Sequence, residues 1–191
     1  MNLRQYISRL EAAGELVRVA ARVDLRWEIA EITDRMSKSE GGGRALLFEN
    51  TGTEFPVLTN MMGSERRMSM ALGVDSLDSL TRRIDSLLHE AMSPKNTLLD
   101  KLRMLPLLHD MSKWFPRKLS SRGECQQTVM LGDDVDLGRL PALTSWGCDG
   151  GPFITLPMVH TVDPEGGMPN MGMYRMQIFD SRTTGMHWHR H

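Results

Sequence analysis

The chain has 191 residues, 23 Lys+Arg against 24 Asp+Glu, and a net charge of −1. That length buries a core as one medium domain or two small ones, and the balanced charge argues against a general polyanion binder such as a nucleic-acid protein, leaving room only for a local basic pocket. Charged and apolar residues alternate at the N-terminus (Leu3, Arg4, Arg9, Glu11), unlike a signal peptide, and the stretch 150–162, free of Asp, Glu, Lys and Arg, holds two prolines and is too short to span a bilayer.

In chain order, Asn2 can cap a first helix whose Leu3, Tyr6, Ile7 and Leu10 form one apolar stripe, closed by Gly14. Leu16-Val-Arg-Val19 alternates as a strand. Residues 27–36 read as helix, with Ile29, Ile32 and Met36 on one side. Gly41-Gly-Gly43 is a turn into a short buried strand, Ala45-Leu-Leu-Phe48, and Pro56-Val-Leu-Thr59 is another strand. Residues 65–72 form a short helix ending at Gly73. Asp75 or Ser76 can cap a longer helix with Leu77, Leu80, Ile84, Leu87 and Leu88 facing inward. Leu98, Leu99, Leu102 and Leu105 continue a helical pattern to Pro106, which should kink or end it.

Trp114-Phe-Pro116 and residues 117–123 look like a linker, and after it the texture changes. The strand candidates are 126–130, 153–156, 158–162 and 173–179, separated by Gly, Pro and Asp turns. The reading is therefore α+β: an α/β domain over 1–120 and a β-rich region over 121–191. Cys125 and Cys148 lack a CxxC spacing, and a reduced cytoplasmic pair is expected. The 16 methionines read as core filler.

His187, His189 and His191 would share one face of a strand, a spacing that can supply metal ligands. The same spacing also describes a polar chain end or the remnant of a purification tag. Asn170 offers a carbonyl oxygen suited to Mg²⁺ or Mn²⁺, and Arg175 a planar fork for a carboxylate or phosphate; equally, Pro169-Asn170 describes a turn and Arg175 a surface residue. Asp149-Gly-Gly-Pro152 is a turn with a carboxylate and little bulk, and Asp163-Pro-Glu-Gly-Gly167 is a hairpin loop. Gly63-Ser-Glu-Arg-Arg67 precedes a helix, where either anion binding or capping by Ser64 explains it. No Walker loop, GxGxxG or GxSxG occurs.

Taken together, several segments resemble the UbiD family of reversible decarboxylases. They are Leu58-Thr-Asn-Met-Met-Gly-Ser64 with Arg67 and Ala71-Leu-Gly73, then Asp149-Gly-Gly-Pro-Phe-Ile-Thr155, Asn170-Met-Gly-Met-Tyr-Arg175 and Trp188-His-Arg-His191. The resemblance implies an N-terminal α/β domain followed by the beginning of a split β-barrel that binds prenylated FMN. It implies Mn²⁺, with K⁺ as an accompanying ion, and makes Asn170 and His191 metal ligands. Neither His187 nor His189 is then a ligand. Arg175 resembles the catalytic arginine beside the flavin and the substrate carboxylate, and Thr155 and Arg190 would contribute to the cofactor site.

The implied chemistry is decarboxylation of a small aromatic or unsaturated carboxylic acid, with the flavin as electron sink. The wording near the C-terminus looks most like quinone-biosynthesis members, of the ubiquinone or menaquinone pathway. The family is homo-oligomeric and receives its prenyl-flavin from a flavin prenyltransferase. Family members are longer, so this chain is expected to be the N-terminal part of such an enzyme and inactive alone. The competing expectations are a non-catalytic flavin- or metal-binding module and a flavin-reductase-like split barrel.

Overall fold

The computed structural model describes residues 1–93, 97, 102, 104–116 and 120–187. The chain forms two compact units, one of Met1–Ser76 with Gly132–His191, the other of Leu77–Leu131.

In the first unit, α1 (Leu3–Ala12) begins with a reciprocal cap: the Gln5 N–H donates to Asn2 Oδ1 and the Asn2 N–H to Gln5 Oε1, both at 2.9 Å. Gly14, at φ +70°, turns the chain into β1 (Leu16–Arg22). Helix α2 (Glu28–Ser37) crosses over to β2 (Ala45–Asn50), which lies parallel to β1. Strand β3 (Val57–Thr59) returns antiparallel, so the order is β1-β2-β3.

The central place of β2 explains its unbroken apolar run, since Ala45, Leu46, Leu47 and Phe48 are all buried. Leu46 and Phe48 pack with Ile29 of α2 and Val23; Ala45 packs with Tyr6 and Leu10 of α1. Alternation along one strand thus places the two helices on opposite faces of the sheet. Helix α3 (Glu65–Leu72) is capped by Ser64, whose hydroxyl accepts the Arg67 N–H at 3.2 Å, and it ends at Gly73 with φ +68°.

The same unit continues from Gly132. Leu143 packs against the Phe48 cluster, and single bridges join Thr144 to Arg26 and Leu143 to Phe153. Strands β4 (Phe153–Ile154), β7 (Met176–Ile178) and β8 (Thr184–Met186) form an antiparallel sheet in the order β4-β7-β8. Between them, β5 (Met158–Thr161) and β6 (Asn170–Met173) form a separate hairpin, with Met158 opposite Met173 and Thr161 opposite Asn170. The loop 163–167 connects them, as its residues predict.

The second unit contains α4 (Leu77–Met92) and α5 (Leu105–Ser112).

Four sequence expectations need correction. Pro106 does not end a helix but opens α5, where its missing N–H falls among donors that have no intrahelical partner anyway. The residues 126–130 form no strand; the chain enters them through a 3₁₀ segment (Glu124–Gln126), with the Gly123 N–H satisfied by Gln126 Oε1, and no strand among the described residues pairs with them. The expected strand 173–179 is two strands, because β6 pairs with β5 and β7 with β4, and the chain changes sheet at Tyr174-Arg175. The stripe on α4 is not buried: Leu77, Leu80 and Leu87 are half-covered while Ile84 and Leu88 are exposed, since no described residue lays an apolar layer over it. Leu98 and Leu99 lie outside the described residues.

Candidate functional site

Arg175 stands where the chain leaves the β5–β6 hairpin for the three-stranded sheet. Its guanidinium carbon lies 3.8 Å over the centroid of the Phe153 ring. Phe153 is on β4, and the β4–β7 pairing brings it opposite Gln177, two residues beyond Arg175. The attraction of the cation to the ring face is worth about 0.5–1 kcal/mol at a site of this exposure. On another side, Arg175 Nη2 is 3.6 Å from Asp149 Oδ2.

Asp149 is itself fixed by the backbone. Its Oδ2 accepts the main-chain N–H groups of Ser145 and Trp146, each at 3.1 Å. The Gly-Gly that follows lets this turn lie against β7: a Cβ at Gly150 would sit 2.9 Å from Gln177 Nε2, and Gly151 has φ +155°. The Ile178 N–H then ties the turn down by donating to Pro152 O at 2.9 Å.

Arg175 and Phe153 line a cavity of about 370 Å³ together with Gln177, Phe179, Gly185, Met186 and His187. Gly185 lets the Phe179 ring lie close over the strand, since a Cβ there would sit 2.5 Å from the ring and push it aside. The β7–β8 turn beside it is held by Asp180, whose carboxyl the Arg182 main-chain N–H and then Thr183 keep below the usual carboxylate range. One guanidinium, two aromatic rings and an imidazole on a concave wall can hold a flat anion.

A second cavity, of about 380 Å³, shares Phe153 and is otherwise lined by Pro56, Val57, Leu140, Pro141, Ala142, Leu143, Ile154, Thr155 and Leu156. Its walls are apolar apart from Thr155.

The structure therefore brings Arg175 to an aromatic-walled cavity and places Thr155 on the neighbouring one. Asn170 lines neither; it is exposed, at the loop end of the hairpin opposite Thr161. Its carbonyl oxygen suits a hard cation. Arg190 and His191 lie outside the described residues. Among the described residues, no three His, Cys, Asp or Glu are grouped to hold a metal.

Reading the sequence without folding it left out Phe153 as the ring beneath Arg175 and Asp149 as its counter-ion. The signal for Asp149 was the two glycines after it, which allow the turn to approach β7. Phe179 and Gly185 carried no local signal, since their contact depends on the β7–β8 register.

Two family models match the chain. The one described as the 3-octaprenyl-4-hydroxybenzoate carboxy-lyase N-terminal domain matches residues 7–87. The one described as the Rift-related domain of the same carboxy-lyase matches residues 117–191. Uncharacterized proteins of Aquifex aeolicus and Archaeoglobus fulgidus are each 42% identical over 191 residues, covering 100% of this chain and 38% of their own length. The chain thus spans well under half the length of these curated relatives.

Among solved structures, the UbiD-class enzyme HmfF from Pelotomaculum thermopropionicum in complex with FMN has a similar fold, with TM-score 0.70, 24% identity, and coverage of 99% of this chain and 37% of that one. An evolved dimeric form of HmfF in complex with prFMN gives 0.69 and 25%, covering 97% and 38%. The closed form of vanillic acid decarboxylase from Sedimentibacter hydroxybenzoicus gives 0.70 and 25%, covering 97% and 36%.

Proposed function

Because the chain belongs to the UbiD family, whose members are decarboxylases, we propose that it forms the N-terminal part of a prenylated-FMN-dependent carboxy-lyase acting on an aromatic or unsaturated carboxylic acid. The observation that carries this reading is the Arg175 guanidinium laid on Phe153 at the wall of an aromatic cavity. Support also comes from the similarity to HmfF, which binds prFMN in the structure of its evolved dimeric form.

In this reading Arg175 pairs with the substrate carboxylate and lends positive charge to the site as CO₂ leaves. Phe153 and Phe179 offer flat apolar faces to an aromatic ligand. The flavin, when bound, supplies the electron sink. Thr155 and Arg190 would belong to the flavin site, and Asn170 with His191 would hold the Mn²⁺, which neutralises negative charge on the cofactor when bound. Asn170, exposed and with a neutral oxygen, fits that role.

The β4-β7-β8 sheet and the β5–β6 hairpin are the first strands of a split barrel, following an α/β domain that ends near residue 120. A role in quinone biosynthesis, a cytoplasmic location, a homo-oligomeric assembly and a flavin prenyltransferase as cofactor source complete the proposal. No helix among the described residues is long and apolar enough to cross a membrane.

Equilibrium dialysis with FMN and Mn²⁺ tests the site. The expected result is flavin retention by the wild-type chain, reduced in Asn170→Ala and Arg175→Ala. Equal retention by all three, or by none, overturns the assignment of these residues. Release of CO₂ from a panel of benzoic and acrylic acids, by a protein of the relatives' full length, tests the reaction itself.

A further inference from the structure

We propose that Asp149 is the positioning residue of Arg175, and that Trp27 fixes Asp149 from the α/β part of the same unit. The inference rests on Arg175 being the carboxylate partner in the proposed function.

Geometry carries it in three steps. First, the Asp149 carboxylate is largely buried, with 14% of its side chain exposed, while Arg175 keeps 41%. The buried acid is anchored to two main-chain N–H groups; the exposed base has a long, flexible stem. So the carboxylate is the fixed member of the pair and the guanidinium the adjustable one. Second, their separation of 3.6 Å is an ion pair but too long for a hydrogen bond. Asp149 therefore orients the guanidinium by charge without using up its N–H donors. With the Phe153 face at 3.8 Å as a second restraint, the fork is aimed and still able to bind.

Third, the backbone that holds Asp149 is itself held. The Trp27 indole N–H donates to Trp146 O at 3.1 Å, and the Trp27 main-chain N–H donates to Thr144 O at 2.8 Å. The Thr144 N–H donates back to Leu25 O at 3.2 Å. These bonds clamp the peptide segment 144–146, whose Ser145 and Trp146 N–H groups donate to Asp149. Trp27 reaches this position at φ +72°, ψ −40°, with the Glu28 N–H bonded to Arg26 O at 2.9 Å. That is a γ-turn of the uncommon, strained kind, in a bulky residue. The clamp to 144–146 is what such a conformation secures.

The test reads the geometry of Arg175 and the binding of benzoate as the probe carboxylate. Asp149→Asn keeps an oxygen acceptor for both main-chain N–H groups and removes only the charge. Coulomb's law alone says that losing a neighbouring negative charge should tighten benzoate. Positioning says the opposite. The expected result is benzoate binding weakened about fivefold, the loss of roughly one well-aimed contact. With it, the heteronuclear NOE of the Arg175 Nε–H falls, and thermal stability stays near wild type. Trp27→Phe, which keeps the ring and removes the indole donor, should loosen Arg175 in the same direction.

Benzoate bound equally or more tightly by Asp149→Asn, with an unchanged Arg175 NOE, overturns the proposal. Wild type that binds no benzoate, while Asp149→Asn still loosens Arg175, overturns the carboxylate reading of the proposed function and leaves the positioning intact. Where Asp149→Asn does not fold, Asp149→Ser retains one acceptor and the same two readouts decide.

Discussion

The guanidinium of Arg67, fully buried, donates through Nη1 to Glu15 Oε2 at 2.9 Å and to Gly43 O at 2.6 Å, and through Nη2 to Gly42 O at 3.0 Å. One charged side chain of α3 thereby ties together the start of β1 and the glycine turn before β2. Removing the partner strands a buried cation, so Glu15→Ala should cost about 3 kcal/mol. Arg66, which pairs with the other oxygen of Glu15 at 3.0 Å but is 65% exposed, should cost less than about 1 kcal/mol on truncation. Urea denaturation of the two variants checks the ordering; equal losses would contradict it.

Tyr6 closes the same region from the other side. Its one hydroxyl proton is shared between Met61 O and Arg67 O, both at 2.9 Å from the oxygen. Tyr6→Phe leaves these carbonyls without that donor and should destabilise by about 1–3 kcal/mol. Burial raises the Tyr6 phenol above its ordinary 10.0. A raised value means the protonated form is favoured in the folded state. Its contribution is full below about pH 10 and is lost as pH rises through the higher folded value. Urea midpoints of wild type should therefore fall at strongly alkaline pH more steeply than those of Tyr6→Phe.

The glycine turn separates two kinds of strain. Gly41 and Gly42 both have positive φ, +64° and +81°. A Cβ at Gly41 meets nothing within 4 Å, whereas one at Gly42 would fall 1.8 Å from Gly63 O. Gly41→Ala should cost only the left-handed backbone penalty, about 1–2 kcal/mol. Gly42→Ala adds a backbone collision and should prevent the turn from closing, read as loss of cooperative thermal unfolding.

At the surface, Arg139 holds Glu54 through Nε at 2.6 Å and Nη2 at 2.9 Å, joining the 51–55 loop to the Leu137–Arg139 turn. The hydrogen bond from Arg139 keeps the Glu54 carboxyl below its usual range. A depressed value contributes stability that is present above the ordinary carboxylate pKa and lost as pH falls through the folded one. Arg139→Gln should return Glu54 to an ordinary titration, followed by carboxyl-carbon NMR between pH 2 and pH 6, a span set by the reference value for Glu of about 4.3. An unmoved midpoint would show that the pair does not persist in solution.

Elements with one local cause were legible in the sequence. Asn2, Ser64 and Gly73 marked helix ends by cap chemistry, and Glu65–Leu72 has the expected bounds. The Ala45–Phe48 run was readable because a central strand is apolar on both faces, although the strand continues to Asn50. Arg175 was legible as a candidate group, but its surroundings were not. Phe153 lies 22 residues upstream and Asp149 26, and both reach it only through the β4–β7 register and the turn before it. Alternation within 173–179 gave no sign that the chain changes sheet at Tyr174-Arg175, since the periodicity is the same on either side. Pro106 was misjudged for a related reason: the residue is read correctly only once the start of its helix is known. Thr155, Asn170, Arg190 and His191 came from resemblance, and their roles stand as proposals.

The β5–β6 hairpin carries a further consequence. Met158 and Met173 stand opposite each other, 76% and 67% exposed, with Met171 at 60% beside them. Exposed thioethers are oxidised to sulfoxides, which exchange a soft apolar contact for a polar, chiral one. Peroxide should therefore mark this hairpin before the core, adding mass to peptides that flank Asn170 while leaving the buried sheet β1-β2-β3 unchanged. The strand that presents Asn170 would thus keep a record of oxidant exposure, together with the similarly exposed Met92 and Met168.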